Sequence, residues 1–259
     1  MSFFKKTMAN VLGIGGTKID TIIDTNSVPN GGTVEGSIII KGGKVEQKVS
    51  KVKLNLDTSY DKEGDESTYT VHTTLQSYEL PINRLIQPGE VYREEFKFKI
   101  TPNTPISIPK HRVYISTNLD IEGAIDSGDG DPLNVYANRY MQVIIDAVNE
   151  LGFRIREVEN IKGSYIYGNQ PFVQEFEFVP TGGVFYRRLD ELEVIFIHKQ
   201  NGIDIFLQVD RKANGFGGLL SEKFSLDETN VKIYLSYDEI LDKNRVKNIL
   251  LSEIEKHTY

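Results

Sequence analysis

Apolar and polar positions change period several times along the chain, and each change marks a new kind of element. Phe3, Phe4, Met8, Val11 and Leu12 recur at helical spacing with Lys5 and Lys6 opposite, and Gly13, Gly15 and Gly16 end the pattern, which predicts a short N-terminal helix. From Lys18 to Ile121 the period is that of strands, in runs rich in Ile, Val, Thr and Tyr cut by Gly, Pro, Asn and Asp. Thr33 to Lys41 is the clearest run, set between Val28-Pro29-Asn30-Gly31-Gly32 and Gly42-Gly43. Val52, Leu54 and Leu56 then alternate with Lys51, Lys53 and Asn55, which puts one face in a core and the other in water. Further strands are predicted at Thr68 to Leu80, Val91 to Ile100 and Arg112 to Ile121. Successive short strands without intervening helices predict an antiparallel sandwich.

The period becomes helical again after Asp131-Pro132: Met141, Ile144, Ile145 and Val148 share one face, and Gly152 stands at the C-terminal cap position. This predicts a linking helix near 138–151. Strands return at Arg154 to Val158, Phe172 to Val179, Leu192 to His198, Ile203 to Asp210 and Val231 to Leu235, which predicts a second sandwich. Ser236-Tyr237-Asp238-Glu239 has capping-box spacing, and Ile240, Leu241, Ile249, Leu250 and Ile254 carry a helix near 237–257. The expected organisation is therefore mainly β, with one sandwich in residues 1–133 and a second, with its helices, in 134–259.

Composition narrows the chemistry. The 259 residues contain no Cys and no Trp, which excludes thiol catalysis, disulfide scaffolds and cysteine-bound zinc. Thirty Lys and Arg against 37 Asp and Glu leave a net charge of −7 without a basic block, so no nucleic-acid partner is expected. The longest uncharged stretch, Thr7 to Thr17, contains three glycines and is too short to cross a bilayer. Lys5 and Lys6 imitate the start of a signal peptide, but an uninterrupted apolar region and an Ala-x-Ala site are lacking. The expectation is a cytoplasmic protein without integral membrane association.

Catalytic constellations are sparse. His72, His111, His198 and His257 lie far apart and belong to no linear Ser/His/Asp or His-x-x-x-His signature, so each is expected at a surface or sheet edge, with convergence on a metal as the minor alternative. Gly13-Ile14-Gly15-Gly16-Thr17-Lys18 lacks phosphate-loop spacing and reads as a hinge. The stretch Asp126-Ser127-Gly128-Asp129-Gly130-Asp131, preceded by Asp120 and Glu122, has three readings. It is a solvated turn, a set of carboxylates paired with arginines of the second half, or a cation loop, although glycines occupy two of the ligand positions a calcium loop needs. Asp210 to Gly218 places Arg211 and Lys212 before a glycine-rich loop that suits either an anion or an ordinary hairpin.

Certain residues carry a family resemblance. Val28-Pro29-Asn30-Gly31-Gly32-Thr33-Val34-Glu35-Gly36 looks like the Pro-Gly-x-x-Val-x-Gly hairpin of arrestin-like domains, with Asn30-Gly31-Gly32 standing where many members have Gly-Glu. With Ser2 to Lys6, Thr104 to Ser107, Leu119 to Asp131 and Asp210-Arg211, in that order and spacing, the chain resembles the bacterial stage zero M sporulation-control family. The resemblance implies two tandem arrestin-like sandwiches and a regulator without catalysis or cofactor. It also implies a charged cluster between the sandwiches, for which Asp120, Asp126, Asp129, Asp131, Arg187, Arg188 and Arg211 are the candidates; Arg211 and Lys212 are also the anion-loop candidates. The expected partners are other proteins met through sheet edges, a homodimer included. The alternative is a small-ligand or carbohydrate module using Tyr165, Tyr167 and Phe172.

Overall fold

A computed structural model of the chain describes residues 16–64, 67–121, 127–168, 170–211 and 230–258. The expected N-terminal helix, Asp126 and Lys212 lie outside them, as does the side chain of Arg211. The protein is mainly β. Strands β1 (Lys18–Ile23), β3 (Thr33–Lys41) and β6 (Val91–Lys99) form one sheet in the order β1-β3-β6. Facing it are β2 (Ser27–Pro29), β4 (Gln47–Glu63), β5 (Thr68–Ile86), β7 (Val113–Ile121) and β8 (Ser127–Tyr136). Alternation drives the pairing: Val34, Ile38 and Ile40 from one layer and Val52, Leu54, Leu56, Ile115 and Leu119 from the other are buried in a shared core.

Ser127–Tyr136 is a strand antiparallel to β7, with Asp129 opposite Thr117 and Asp131 opposite Ile115. From residue 127 onward the acidic stretch is therefore not a turn. Two glycines and a proline hide its period, and pairing with β7 overrides their weak strand propensity.

Helix α1 (Arg139–Glu150) forms as the period requires. The Asn138 side chain caps it by accepting from the Tyr140 and Met141 amides, and Met141, Ile144, Ile145 and Val148 are buried. Gly152 takes a positive φ of 97°, and a Cβ there would meet the Gly182 carbonyl oxygen at 2.4 Å. Strands β9 (Phe153–Lys162), β10 (Phe172–Pro180), β11 (Leu189–His198), β12 (Gly202–Arg211) and β13 (Asn230–Ser236) then form an antiparallel meander. The expected C-terminal helix is divided in two, α2 (Tyr237–Ile240) and α3 (Lys243–Lys256). The capping box of Ser236 and Glu239 starts the first, and the Asp242 side chain, accepting from the Arg245 amide at 3.1 Å, starts the second. Among the described residues these helices make the layer over one face of the meander. Val148 of α1 and Leu250 and Ile254 of α3 share a core with Phe176, Phe178, Leu192 and Val194.

The meander and the sheet containing β4 join through a single parallel bridge, Asp61 to Ile161, into one ten-stranded sheet. One bridge holds little by itself, so other bonds must fix the junction. No helix among the described residues is long and apolar enough to cross a membrane.

Candidate functional site

The junction is where the two cores meet. Of its polar side chains Asn30, Ser59, His111, Asn160 and His198 are buried, Asn138, Gln174, Asp61 and Glu159 are half-buried, and Asn103 and Lys110 are exposed. Asn30, in the tight turn after β2, is 4% exposed. Its Nδ2 donates to the Pro102 carbonyl (2.6 Å) and faces His198 Nε2 (3.3 Å), while its Oδ1 accepts from the Asn138 amide (2.7 Å). Asn138 Nδ2 donates in return to the Asn30 carbonyl at 3.2 Å. The hairpin of the first half, the cap of α1 and a strand of the second half thus converge on one amide side chain.

His198, at the end of β11, completes this cluster. Asn103 pairs with its peptide as a neighbouring strand would, accepting from the His198 amide (2.8 Å) and donating to its carbonyl (3.2 Å). Burial pushes the His198 imidazole down to about 4, so the ring is neutral at physiological pH. Because Asn30 Nδ2 can only donate, Nε2 is the acceptor and Nδ1 carries the proton, directed at the Tyr237 hydroxyl 3.4 Å away; that hydroxyl donates to the Lys199 carbonyl at 3.1 Å.

A second cluster lies beside the β4–β9 bridge. Gln174 of β10 holds both the amide and the carbonyl of Ile106 (2.8 and 2.9 Å) and donates to the side chain of fully buried Asn160 (3.0 Å). Asn160 donates to the Ser59 carbonyl at 2.9 Å. The Ser59 hydroxyl meets His111 Nδ1 at 2.9 Å, and His111 Nε2 lies 3.5 Å from Asp61. Lys110 bridges Asp61 (2.6 Å) and Glu159 of β9 (3.3 Å). Burial opposes the Asp61 charge, but hydrogen bonds from Lys110 and Thr70, with His111 nearby, outweigh it and hold the carboxyl below its usual range. Tyr60 stacks on Phe172 at 5.3 Å between the clusters.

Ser59, His111 and Asp61 include the three group types of a hydrolytic relay. His111 is fully buried and Ser59 nearly so, and their bonds tie the end of β4 to the segment before β7. Asn30, Asn103, Gln170, Phe172, Gln174 and His198 help to line a cavity of about 40 Å³, the size of one or two waters and far below that of a sugar site. Phe172 and Tyr167 are absorbed in packing, Phe172 against Tyr60 and Tyr167 edge-on to Phe206 at 5.0 Å.

The charges singled out in the sequence lie elsewhere. Asp120 stands opposite Lys51 in the β4–β7 register. Asp129 and Asp131 are brought together on β8, beside Asp20 of β1, and Asp129 accepts from the Thr21 amide at 2.9 Å. Burial first, then the charges of Asp129 and Asp20, push the Asp131 carboxyl up to about 7. Arg187 and Arg188 are exposed in the turn before β11, where Arg187 has a positive φ of 72° and lies over the Tyr186 ring. Among the described residues no ion pair joins these arginines to Asp129 or Asp131. Two of the four histidines also depart from expectation: His111 and His198 are buried at the junction, whereas His72 is exposed on β5.

Among known proteins, residues 4–213 match the family model described as SpoOM protein. The chain is 37% identical over 257 residues to the sporulation-control protein spo0M of Bacillus subtilis strain 168, covering 99% of each. It is also similar to the crystal structure of Spo0M, sporulation control protein, from Bacillus subtilis, with a TM-score of 0.84 and 35% identity over 94% of this chain and 100% of that one.

Proposed function

The chain belongs to the SpoOM protein family, and from that premise we propose that it acts in the control of sporulation as a non-enzymatic adaptor working in the cytoplasm through contacts with other proteins. The observation that carries the reading is the extent of the similarity, which runs through 99% of both this chain and its sporulation-control relative. The placement of the reactive side chains supports it. Asn160 and His198 are buried in bonds that fasten one half to the other, and Ser59 and His111 in a bond that braces the first half beside them, so they serve to hold a shape. A fixed shape is what an adaptor offers a partner, because ordering a loose junction would subtract from the binding free energy. We take the two arrestin-like units to be residues 1–133 and 134–259, divided near the end of β8, with the polar junction setting their angle.

The test is functional replacement. Expressed in Bacillus subtilis lacking its own sporulation-control protein spo0M, the chain is expected to return the yield of heat-resistant spores to the level given by the native gene. An unchanged yield at matched protein level would overturn the reading.

A further inference from the structure

We propose that Asn201 is a site of spontaneous modification: the amide of Gly202 closes on the Asn201 side chain and converts it to aspartate and isoaspartate, which weakens the hold of the β11–β12 turn on α2. The inference does not depend on the adaptor reading, so either can fail without the other.

Asparagine followed by glycine is the dipeptide this chemistry favours, because the backbone amide of the next residue is the nucleophile and glycine has no Cβ to obstruct it. The Gly202 nitrogen attacks Cγ of Asn201, a C–N bond forms, the Cγ–Nδ2 bond breaks, and ammonia leaves with the proton of the Gly202 amide. Water then opens the five-membered imide at one of its two carbonyls. One opening gives aspartate. The other routes the main chain through Cγ and leaves the former main-chain carbonyl of residue 201 as a free carboxylate. Solvent water is the only co-reactant.

Two Asn-Gly pairs fall among the described residues, and the fold treats them oppositely. At Asn30-Gly31 both partners are engaged: Asn30 is buried with its side chain bonded at both ends, and the Gly31 amide donates to the Thr101 carbonyl at 3.2 Å. Asn201 ends the turn between β11 and β12 and is exposed, and among the described residues its side chain has no bonded partner. The Tyr237 amide donates to the Asn201 carbonyl at 3.0 Å, which makes Gly202 and Ser236 a non-hydrogen-bonded pair of the β12–β13 ladder. The Gly202 amide therefore has no acceptor on β13. Across the turn it is the Gly202 carbonyl that is bonded, accepting from the Lys199 amide at 2.8 Å, while the Lys199 carbonyl accepts from the Tyr237 hydroxyl. The glycine itself is fixed by packing, since a Cβ at residue 202 would meet the Leu235 carbonyl oxygen at 2.2 Å. The carbonyl displaced on isomerisation is the one that holds Tyr237, the first residue of α2, whose hydroxyl lies 3.4 Å from His198 Nδ1 in the junction.

The experiment ages the whole chain and Asn201→Gln at pH 8.5 and 37 °C, followed by trypsin digestion and mass spectrometry of the peptide 200–211. Glutamine would have to close a six-membered ring, which is far slower. The wild-type peptide is expected to gain about 1 Da, with isoaspartate present, and the variant peptide to stay unchanged. Asn30 is expected to react at least about tenfold more slowly than Asn201, because opening of the junction must release it first. In guanidinium chloride the two sites should react at similar rates. Asn214-Gly215 lies outside the described residues, falls in a separate peptide and is common to both chains. Aged wild type is expected to melt below aged Asn201→Gln. An Asn201 that stays intact, or that reacts no faster than Asn30 in the folded chain, overturns the proposed site. Equal melting of the two aged proteins overturns its effect on α2.

Discussion

Replacing Asn30 with Leu, a side chain of similar size, is expected to lower the free energy of unfolding by about 3 kcal/mol or more, read from urea denaturation at pH 7.5. The substitution removes three partners at once. The Pro102 carbonyl, the Asn138 amide and His198 Nε2 each lose the bond that Asn30 supplied, and the site is too enclosed for bulk water to replace it. A buried polar group left without a partner costs about 1–3 kcal/mol, and relaxation recovers part of that. Asn30→Asp makes a sharper comparison. It keeps an acceptor for the Asn138 amide but sets a carboxylate beside a neutral imidazole and a carbonyl. Protonating His198 would turn that contact into an ion pair, so the loss for Asn30→Asp should shrink from pH 8 to pH 5.5, while the loss for Asn30→Leu should not. If Asn30→Leu costs less than about 1 kcal/mol, the Asn30 cluster does not fasten the junction.

That junction shows where linear reading succeeds and where it stops. Period alone locates β3 with its observed ends, α1 to within a residue, and the buried face of Met141, Ile144, Ile145 and Val148, because those features depend only on which side of one element is apolar. The break between α2 and α3 was written in Asp242, a favoured N-cap residue, but the apolar positions on both sides mask it. The junction residues are harder. His111 and His198 are 87 positions apart in sequence, and each meets its partners only after distant segments are brought together, His111 with Ser59 and Asp61 of β4 and His198 with Asn30 and Asn103. A weak signal did exist: Asn160 and Gln174 interrupt strands β9 and β10 on buried positions or near them, where an amide is tolerated only if something bonds it. The acidic stretch misleads in the opposite way. Charges that suggest a link to the arginines of the second half instead line the seam between β1 and β8 within the first.

Those same carboxylates give the second large effect. Asp131→Asn is expected to raise the stability of the chain by about 2 kcal/mol at pH 8 and to leave it nearly unchanged at pH 4.5. Asp131 has its carboxyl pushed up to about 7 from an unfolded value near 3.8, so between those values the folded chain holds a proton that the unfolded chain releases. Acid therefore favours the fold at this residue, and above pH 7 its charge opposes folding in full. Three pKa units would amount to about 4 kcal/mol, and solvent reaching a half-buried group cuts this roughly in half. An asparagine at this position could not ionise, and its amide could donate to the neighbouring Asp129 carboxylate. His198 works in the reverse sense. Its imidazole is pushed down to about 4 from 6.5, so its contribution is complete above 6.5 and is lost as pH falls toward 4. At full strength that loss is about 3 kcal/mol, since each pKa unit is worth about 1.4. In the wild type the two effects oppose one another below pH 6.5, where the His198 loss is the larger, and nearly cancel between pH 8 and 6.5. Asp131→Asn removes the opposing gain, so its melting temperature should fall more steeply than that of the wild type below pH 6.5. Calorimetry of both proteins at pH 8, 6.5 and 4.5 separates these profiles, and a variant no more stable than wild type at pH 8 would mean that the carboxylate of Asp131 is well solvated along the seam.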